Sequence, residues 1–538
     1  MSNLPTNIGY ECTRRQCEIG KGDQTALRWI HSDLSWKEYT FQGMEVESNR
    51  FANLLTTLGA KRGDIFFVFF PKLPEIYFAV LGALKAQVVV SVLFNTFGED
   101  ALLDRLVDSQ AKIVFTHQRM FRKIRNILPQ LTHLEKIVVM GLTEPETAQV
   151  VSFERWYAET SDHFEILPTP ADTPSVLHYT SGSTGKPKGV LHVHGSLPYQ
   201  VQTFTEILQV QPGDTFWCTA DPAWVTGTTY GIIAPWSQGV TQIQFEGGYS
   251  AEAWFHILEE HQVNVWYTAP TALRMLMRED EALYATFPLK ALRSISSVGE
   301  PLNPEVIYWA RRVLKHEIYD TWFQTETGAI MISNRPGLPV KPGSMGIPAQ
   351  GIQAAIIQDD GSDTKIREQG NLCVQPGWSS MFVAYLNHNE VYQQKFRYGY
   401  YFSGDLAYQD EEGYFWFIGR SDDVINTAGH LVSPFEVESA LLEISEIAEA
   451  GVVAAPDDIL FEKVVAFVVL KPKVTWSAEL DLKVKKYISN RVSTIAAPQD
   501  IQVIQKLPKN KSGKILRRVL KARYSGSDAG DLTTLEEF

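Results

Sequence analysis

Cysteine is scarce: the 538-residue chain holds four, Cys12, Cys17, Cys218 and Cys373. So few and so scattered, they exclude a disulfide framework. The interval from Cys12 to Cys17 matches neither redox nor zinc spacing, so they read as buried or inert thiols of a reducing compartment. An excess of positive charge is also missing. The 62 acidic residues outnumber the 49 basic ones and leave a net charge of −13. The global field therefore repels phosphate backbones, and neither nucleic acid nor a membrane surface is expected as a partner. The opening MSNLPTNIGYECTRRQ has no apolar core and carries Glu11, so no secretory or transit segment is legible and a cytoplasmic location is the expectation. No clean membrane-spanning run is present either. The most apolar stretch, Ile76 to Phe94, is interrupted by Lys85 and Gln87 and preceded by Pro74 and Glu75, which predicts a buried helix followed by a strand.

What is there is a globular composition, with 44% hydrophobic, 12% aromatic and 21% charged residues. Short apolar β-rich runs (IFFVFF at 65–70, VVVSVLF at 88–94, KIVFTH at 112–117, KIVVMG at 136–141) alternate with helix-period segments such as Glu75 to Lys85 and Glu99 to Ser109. This alternation predicts βαβ units and a mostly parallel sheet. The rhythm returns after residue 225 with VTQIQFEG, AEAWFHILEEH, VNVWYTA and LRSISSVGE, so the chain is read as α/β with two βαβ-type subdomains. From about 335 to 420, Gly/Pro turns and strands such as IQAAIIQ, NLCVQPG and YFWFIG predict an antiparallel, barrel-like subdomain. Beyond Arg420 and the polar Ser421-Asp422-Asp423, the helix SPFEVESALLEI and the strands AEAGVVAA and KVVAFVVL predict a small α+β domain. The division falls between residues 1–421 and 422–538.

The run TSGSTGKPKG, Thr180 to Gly189, combines three glycines, four hydroxyls and two lysines between apolar segments. Many backbone N–H donors with little bulk suit a cradle for phosphate oxygens. It is not a Walker loop, because Pro187 stands where that motif has glycine and Lys186 is followed by proline. The run resembles the phosphate loop of the adenylate-forming superfamily, which includes acyl-CoA synthetases, peptide-synthetase adenylation domains and luciferases. Further landmarks follow in order over nearly the whole chain.

That resemblance implies ATP with Mg²⁺ and coenzyme A as co-substrate, no structural metal, and a small mobile C-terminal domain. In the phosphate loop it carries over Thr180, Ser181, Gly182, Ser183, Thr184, Gly185 and Lys188. SVGEP resembles the adenine-contacting turn, with Val298, Gly299, Glu300 and Pro301. DTWFQTETG resembles the nucleotide loop, giving Asp320, Thr321, Trp322, Phe323, Gln324 and Thr325 on the nucleotide and Glu326 on the metal. A carboxylate beside a triphosphate is a sensible hard-cation ligand. Asp405 offers two oxygens to the ribose hydroxyls and Arg420 a fixed donor fork. Lys514 in LPKNKSGKILRR resembles the catalytic lysine, which acts with Thr325 and Glu326, and Asp422 resembles the hinge. A long, flexible ammonium stabilises developing charge without a fixed fork. The segment Pro508 to Lys514 also resembles a site of reversible acetylation, which makes a lysine acetyltransferase and deacetylase expected partners. The surrounding basic stretch reads as a solvated helix face with attraction for CoA phosphates.

DPAWVTG, Asp221 to Gly227, together with the tryptophan-bearing nucleotide loop, resembles the acetyl- and propionyl-CoA synthetase branch. The acyl pocket implied comprises Trp224, Val225, Thr226, Val298 and Phe323, with Thr226, Ala428 and Gly429 on CoA. Acetate or another short carboxylate is the implied substrate. Three departures stand out. Phe323 replaces a second tryptophan and leaves room for about one or two methylenes, each worth about 0.8 kcal/mol of burial. Leu431 stands where an ATP-contacting arginine is usual, a loss of about 1.5 to 3 kcal/mol, and Ala428 where a CoA-contacting serine is common. Gln87 replaces a glycine, which reads as structural. The pair His192 and His194 has zinc-like residue types without a third ligand nearby, so no metal is expected there.

Overall fold

The computed structural model describes residues 7–180, 187–421, 423–427, 430–457, 460–509 and 514–527. Among them, two large sheets organise the first part of the chain. One has eight strands in the order 384–385, 188–193, 174–180, 89–93, 65–69, 113–117, 136–140, 150–152. The other has nine, running 347–348, 332–333, 318–322, 294–298, 265–268, 215–218, 241–245, 25–30, 36–40. The nine-stranded sheet is parallel in the middle and antiparallel at both edges, whereas the eight-stranded sheet is antiparallel only at the edge formed by 384–385 and 188–193 and stays parallel through to 150–152. The continuous Val/Ile/Phe runs are buried on both faces, as parallel strands covered by helices require.

Helices Glu75–Lys85 and Glu99–Ser109 occupy the predicted residues. In the apolar stretch 76–94 the helix is followed by the strand Val89–Leu93, and among the described residues no helix is long and apolar enough to cross a membrane. Lys85 is buried against Glu45 and Asn49, 2.5 and 2.7 Å away. Gln87 adopts a left-handed φ of 57°, where a side chain is strained. Its amide offsets this by donating to Leu167 O, Pro168 O and Thr169 Oγ1 at 2.9–3.1 Å. The role is structural, as the sequence suggests.

The segment 354–420 folds into an antiparallel sheet around the strand Tyr400–Gln409. A fourth sheet contains Ile425–Thr427, His430–Val432, Ile447–Asp457, Phe461–Leu470 and Asp500–Val503, covered by helices Pro434–Leu442 and Ala478–Arg491. Phe94, just past the strand Val89–Leu93 of the eight-stranded sheet, touches Trp224, in the segment that follows the strand Thr215–Cys218 of the nine-stranded one, with ring centroids 4.8 Å apart. The carboxyl ends of the two parallel sheets therefore meet, where α/β folds commonly bind ligands.

Candidate active site

Ser294–Val298 and Ile318–Trp322 are parallel neighbours, Val298 opposite Thr321. The segments that leave them, Gly299-Glu300-Pro301 and Phe323 to Glu326, thus emerge side by side. The strand residues are tied to neighbouring strands. Asp320 is buried, accepts from the Ser297 hydroxyl at 3.0 Å, and is pushed up to about 8 by that burial. Thr321 shares its hydroxyl with Tyr267 and donates to Ser297 O. Glu300 accepts from Thr271 and Arg274.

Asp405 ties this loop to the antiparallel sheet. Its Oδ2 accepts from Trp322 Nε1 at 3.0 Å and Gln324 Nε2 at 2.9 Å, and its Oδ1 from Arg420 at 3.2 Å. The ion pair follows from register, because Asp405 and Arg420 face one another on paired strands. Burial still pushes the Asp405 carboxyl up, against the pull of Arg420, the Trp322 N–H, Lys514 and Lys395. Tyr401 fixes Gln324 from the far side, donating to its Oε1 at 2.9 Å.

Glu326 is held by Tyr385, whose hydroxyl donates to its carboxylate at 2.6 Å. The tyrosine arrives there because Ala384–Tyr385 pairs with the strand Lys188–Val193, Tyr385 opposite Val190. His192 on that strand bonds the Thr325 carbonyl through Nε2 at 2.8 Å. A Cβ on Gly328, at φ 70°, would lie 2.3 Å from Ser380 O and 2.9 Å from the His192 ring, so only glycine lets the loop close onto this strand. His194 is committed elsewhere, its Nδ1 accepting from Ile8 N at 3.0 Å. Both histidines of the HVH run are therefore bonded to backbone groups.

Thr180 and Lys188 lie directly opposite one another on antiparallel strands. The Lys514 ammonium lies within the fields of Arg420, Asp405 and Asp423. Burial and Arg420 lower its pKa, while the two aspartates oppose the shift. Its segment is pinned to the fourth sheet's helix by Arg517, which forks onto both Glu438 oxygens at 2.7 Å. Contacts between the parts before and after residue 421 hold this arrangement: Arg278 to Glu449 at 2.7 Å and Asn303 to Ser439 at 2.8 Å. Leu431 is 47% exposed, on a strand opposite Asn426.

In the region matched to an acyl pocket, the turn before Val225–Thr228 is tight. A Cβ on Gly227 would lie 2.0 Å from Asp221 O. Val225, Thr226 and Val298 are buried. Phe323 packs into the same apolar cluster as Val298 and meets the edge of Tyr230, centroids 5.7 Å apart. Ser181, Gly182, Ser183, Thr184, Gly185, Asp422, Ala428 and Gly429 lie outside the described residues. The sequence reading missed Tyr385, Tyr230, Lys395 and the anchoring role of His192. Each is a lone residue in an unremarkable run, and only strand pairing or packing brings it here.

Parallel sheets meeting at their carboxyl ends, with a carboxylate, a guanidinium and a lysine gathered beside the loop 322–326, define an enzyme that handles a nucleotide. Residues 14–385 match the AMP-binding enzyme family and residues 436–514 the AMP-binding enzyme C-terminal domain; the chain belongs to the AMP-binding enzyme family. It is 44% identical over 533 residues to an acetyl-coenzyme A synthetase of Bacillus subtilis (strain 168), spanning 99% of this chain and 93% of that one. It is 37% identical over 559 residues to an acetyl-coenzyme A synthetase of Bdellovibrio bacteriovorus, spanning 99% and 86%. A solved anthranilate CoA ligase in complex with anthranoyl-AMP is similar with a TM-score of 0.88 at 27% identity, covering 98% of this chain and 99% of that one.

Proposed function

We propose that this enzyme is an ATP-dependent ligase joining acetate, or another short-chain carboxylate, to coenzyme A. The observation that carries this reading is the gathering of Lys514, Arg420 and Asp405 around the loop 322–326, in a chain related end to end to acetyl-coenzyme A synthetases. The carboxylate attacks the α-phosphorus of ATP, forming acyl-AMP and releasing pyrophosphate. The CoA thiol then attacks the acyl carbon and AMP leaves. No side chain needs to become a covalent nucleophile, so positioning and charge stabilisation supply the rate.

In this proposal Thr180, Thr184 and Lys188 hold phosphates, and Gly299, Glu300, Pro301 and Trp322 flank the adenine. Asp405 accepts from the ribose, Arg420 donates to ribose or phosphate, and Thr325 and Lys514 contact the reacting phosphate. A single carboxylate next to a triphosphate fits Mg²⁺, which takes few protein ligands and several phosphate or water oxygens. Glu326 would hold it, and its charge would offset that of the phosphates. Trp224, Val225, Thr226, Val298 and Phe323 line the acyl pocket, and Thr226, Ala428 and Gly429 face CoA. Residues 1–421 act as the adenylation domain and residues 422–538 as a mobile domain hinged at Asp422. The setting is cytoplasmic, with Lys514 open to control by a lysine acetyltransferase and deacetylase. Phe323, smaller than tryptophan, favours propionate or butyrate as the second reading.

The test is AMP release with MgATP and CoA across acetate, propionate, butyrate and octanoate, beside pyrophosphate exchange without CoA. Turnover greatest with acetate supports the first reading and a maximum at butyrate the second. Exchange without CoA-dependent turnover points to another thiol acceptor, such as a carrier protein. Silence with every acid points to a non-catalytic relative, the reading Leu431 motivates.

A further inference from the structure

Lys395 caps the C-terminus of the short helix Asn389–Gln394, its N–H bonded to the Tyr392 carbonyl at 3.1 Å. Its own carbonyl accepts from Phe402 N at 2.8 Å, continuing the pairing of Phe396 and Arg397 with Tyr401 and Tyr400. With its backbone fixed on both sides, the side chain lies across the strand Tyr400–Gln409. A Cβ built on Gly404 would stand 3.7 Å from Lys395 Nζ and 3.4 Å from an Arg420 guanidinium nitrogen. Two cations therefore flank one point of backbone, immediately before Asp405.

The Lys395 ammonium lies in the fields of Glu326, Arg420, Asp405 and Lys188, groups drawn from three separate parts of the site. Yet among the described residues it forms no hydrogen bond and no ion pair. The nearby carboxylates are engaged by others, Glu326 by Tyr385 and Asp405 by Trp322, Gln324 and Arg420. An ammonium partly withdrawn from water, bonded to no acceptor among the described residues and with Arg420 and Lys188 opposing the pull of Glu326 and Asp405, carries a desolvation cost that no direct contact offsets. The same arrangement becomes favourable once a multivalent anion sits among the cations.

We infer that Lys395 is a phosphate-binding residue of this enzyme, its ammonium contacting the polyphosphate of ATP during adenylation. The inference rests on the proposed reading of the site as a nucleotide site. It also explains how the chain accommodates Leu431 in place of an arginine. Lys395 precedes residue 421, so its contact does not depend on the position of the part that carries Leu431.

The test compares wild type, Lys395→Met and Lys395→Arg as full-length proteins by calorimetric titration with ATP and with adenosine, together with acetate-dependent ATP–pyrophosphate exchange. Lys395→Met should weaken ATP binding at least about tenfold and raise the KM for ATP, leaving adenosine affinity and the KM for acetate within about twofold. Lys395→Arg should recover most of the loss. ATP affinity unchanged in Lys395→Met would overturn the inference, and so would an equal loss for ATP and adenosine, the mark of a role in shape alone. A wild type that binds no ATP and catalyses no exchange would overturn the nucleotide-site reading itself, so the two failures are distinguishable.

Discussion

Tyr385 donates a 2.6 Å hydrogen bond to the carboxylate of Glu326, and burial together with this acidic partner holds the phenol well above its ordinary pKa. The tyrosine keeps its proton throughout the working pH range and aims the carboxylate that the proposal assigns to Mg²⁺. A hydrogen bond to a charged group is worth about 1.5 to 3 kcal/mol. Tyr385→Phe should therefore slow ATP–pyrophosphate exchange about tenfold or more and shift its Mg²⁺ dependence to higher concentration. A Mg²⁺ titration identical to wild type would remove Tyr385 from this role.

Asp405 collects three donors, and an amide in its place would set its NH₂ against at least one of them. Asp405→Asn should weaken AMP binding by about one to two orders of magnitude, given about 1.5 to 3 kcal/mol for a charged hydrogen bond. The experiment is a titration with AMP. Because burial raises the carboxyl, wild-type affinity should begin to fall in mild acid, above the pH where an ordinary aspartate protonates, while the variant's affinity stays flat there.

Asp320 offers a stability test independent of catalysis. Its carboxyl titrates near 3.9 when unfolded and at about 8 when folded. Between those values the folded protein holds one more proton than the unfolded chain, so this group's contribution to stability falls as pH rises through the window and levels off above it. Asp320→Asn, neutral at all pH, should lower the loss of melting temperature between pH 6 and 9. Parallel melting curves for the two proteins would show that Asp320 is already ionised in the fold.

The Arg278–Glu449 pair joins the parts on either side of residue 421 at 2.7 Å. Partly exposed, it is worth about 0.2 to 1 kcal/mol. Arg278→Ala should lower the adenylation half-reaction by about two- to fivefold and leave thiolysis of a supplied acyl-AMP unchanged. Equal losses in both halves would contradict a contact specific to the arrangement in which Lys514 faces Asp405.

Phe323 meets Tyr230 edge to face, a contact that would give the proposed acyl pocket an aromatic floor. Phe323→Gly should shift selectivity from acetate towards butyrate and octanoate, read as the ratio of kcat/KM values across the four acids. An unchanged ratio would remove Phe323 from the pocket.

The sequence by itself determined the elements, because their cause is local. Helices Glu75–Lys85 and Glu99–Ser109 and the strands beside them are written in apolar period and length, and buried parallel strands need little more than unbroken β-rich runs. Its motifs, by their resemblance to a known family, also pointed to Lys514, Asp405, Arg420 and the loop 320–326, whose side chains suit a phosphate or a ribose. Only the tertiary structure decided what those residues rest on. Tyr385 reaches Glu326 through the pairing of residues 384–385 with 190–191, His192 braces Thr325 from a strand 133 positions away, and Lys395 meets Arg420 across Gly404. These partners have no periodicity or motif of their own. Their position is fixed by strand register and packing between distant segments, which residue type alone does not encode.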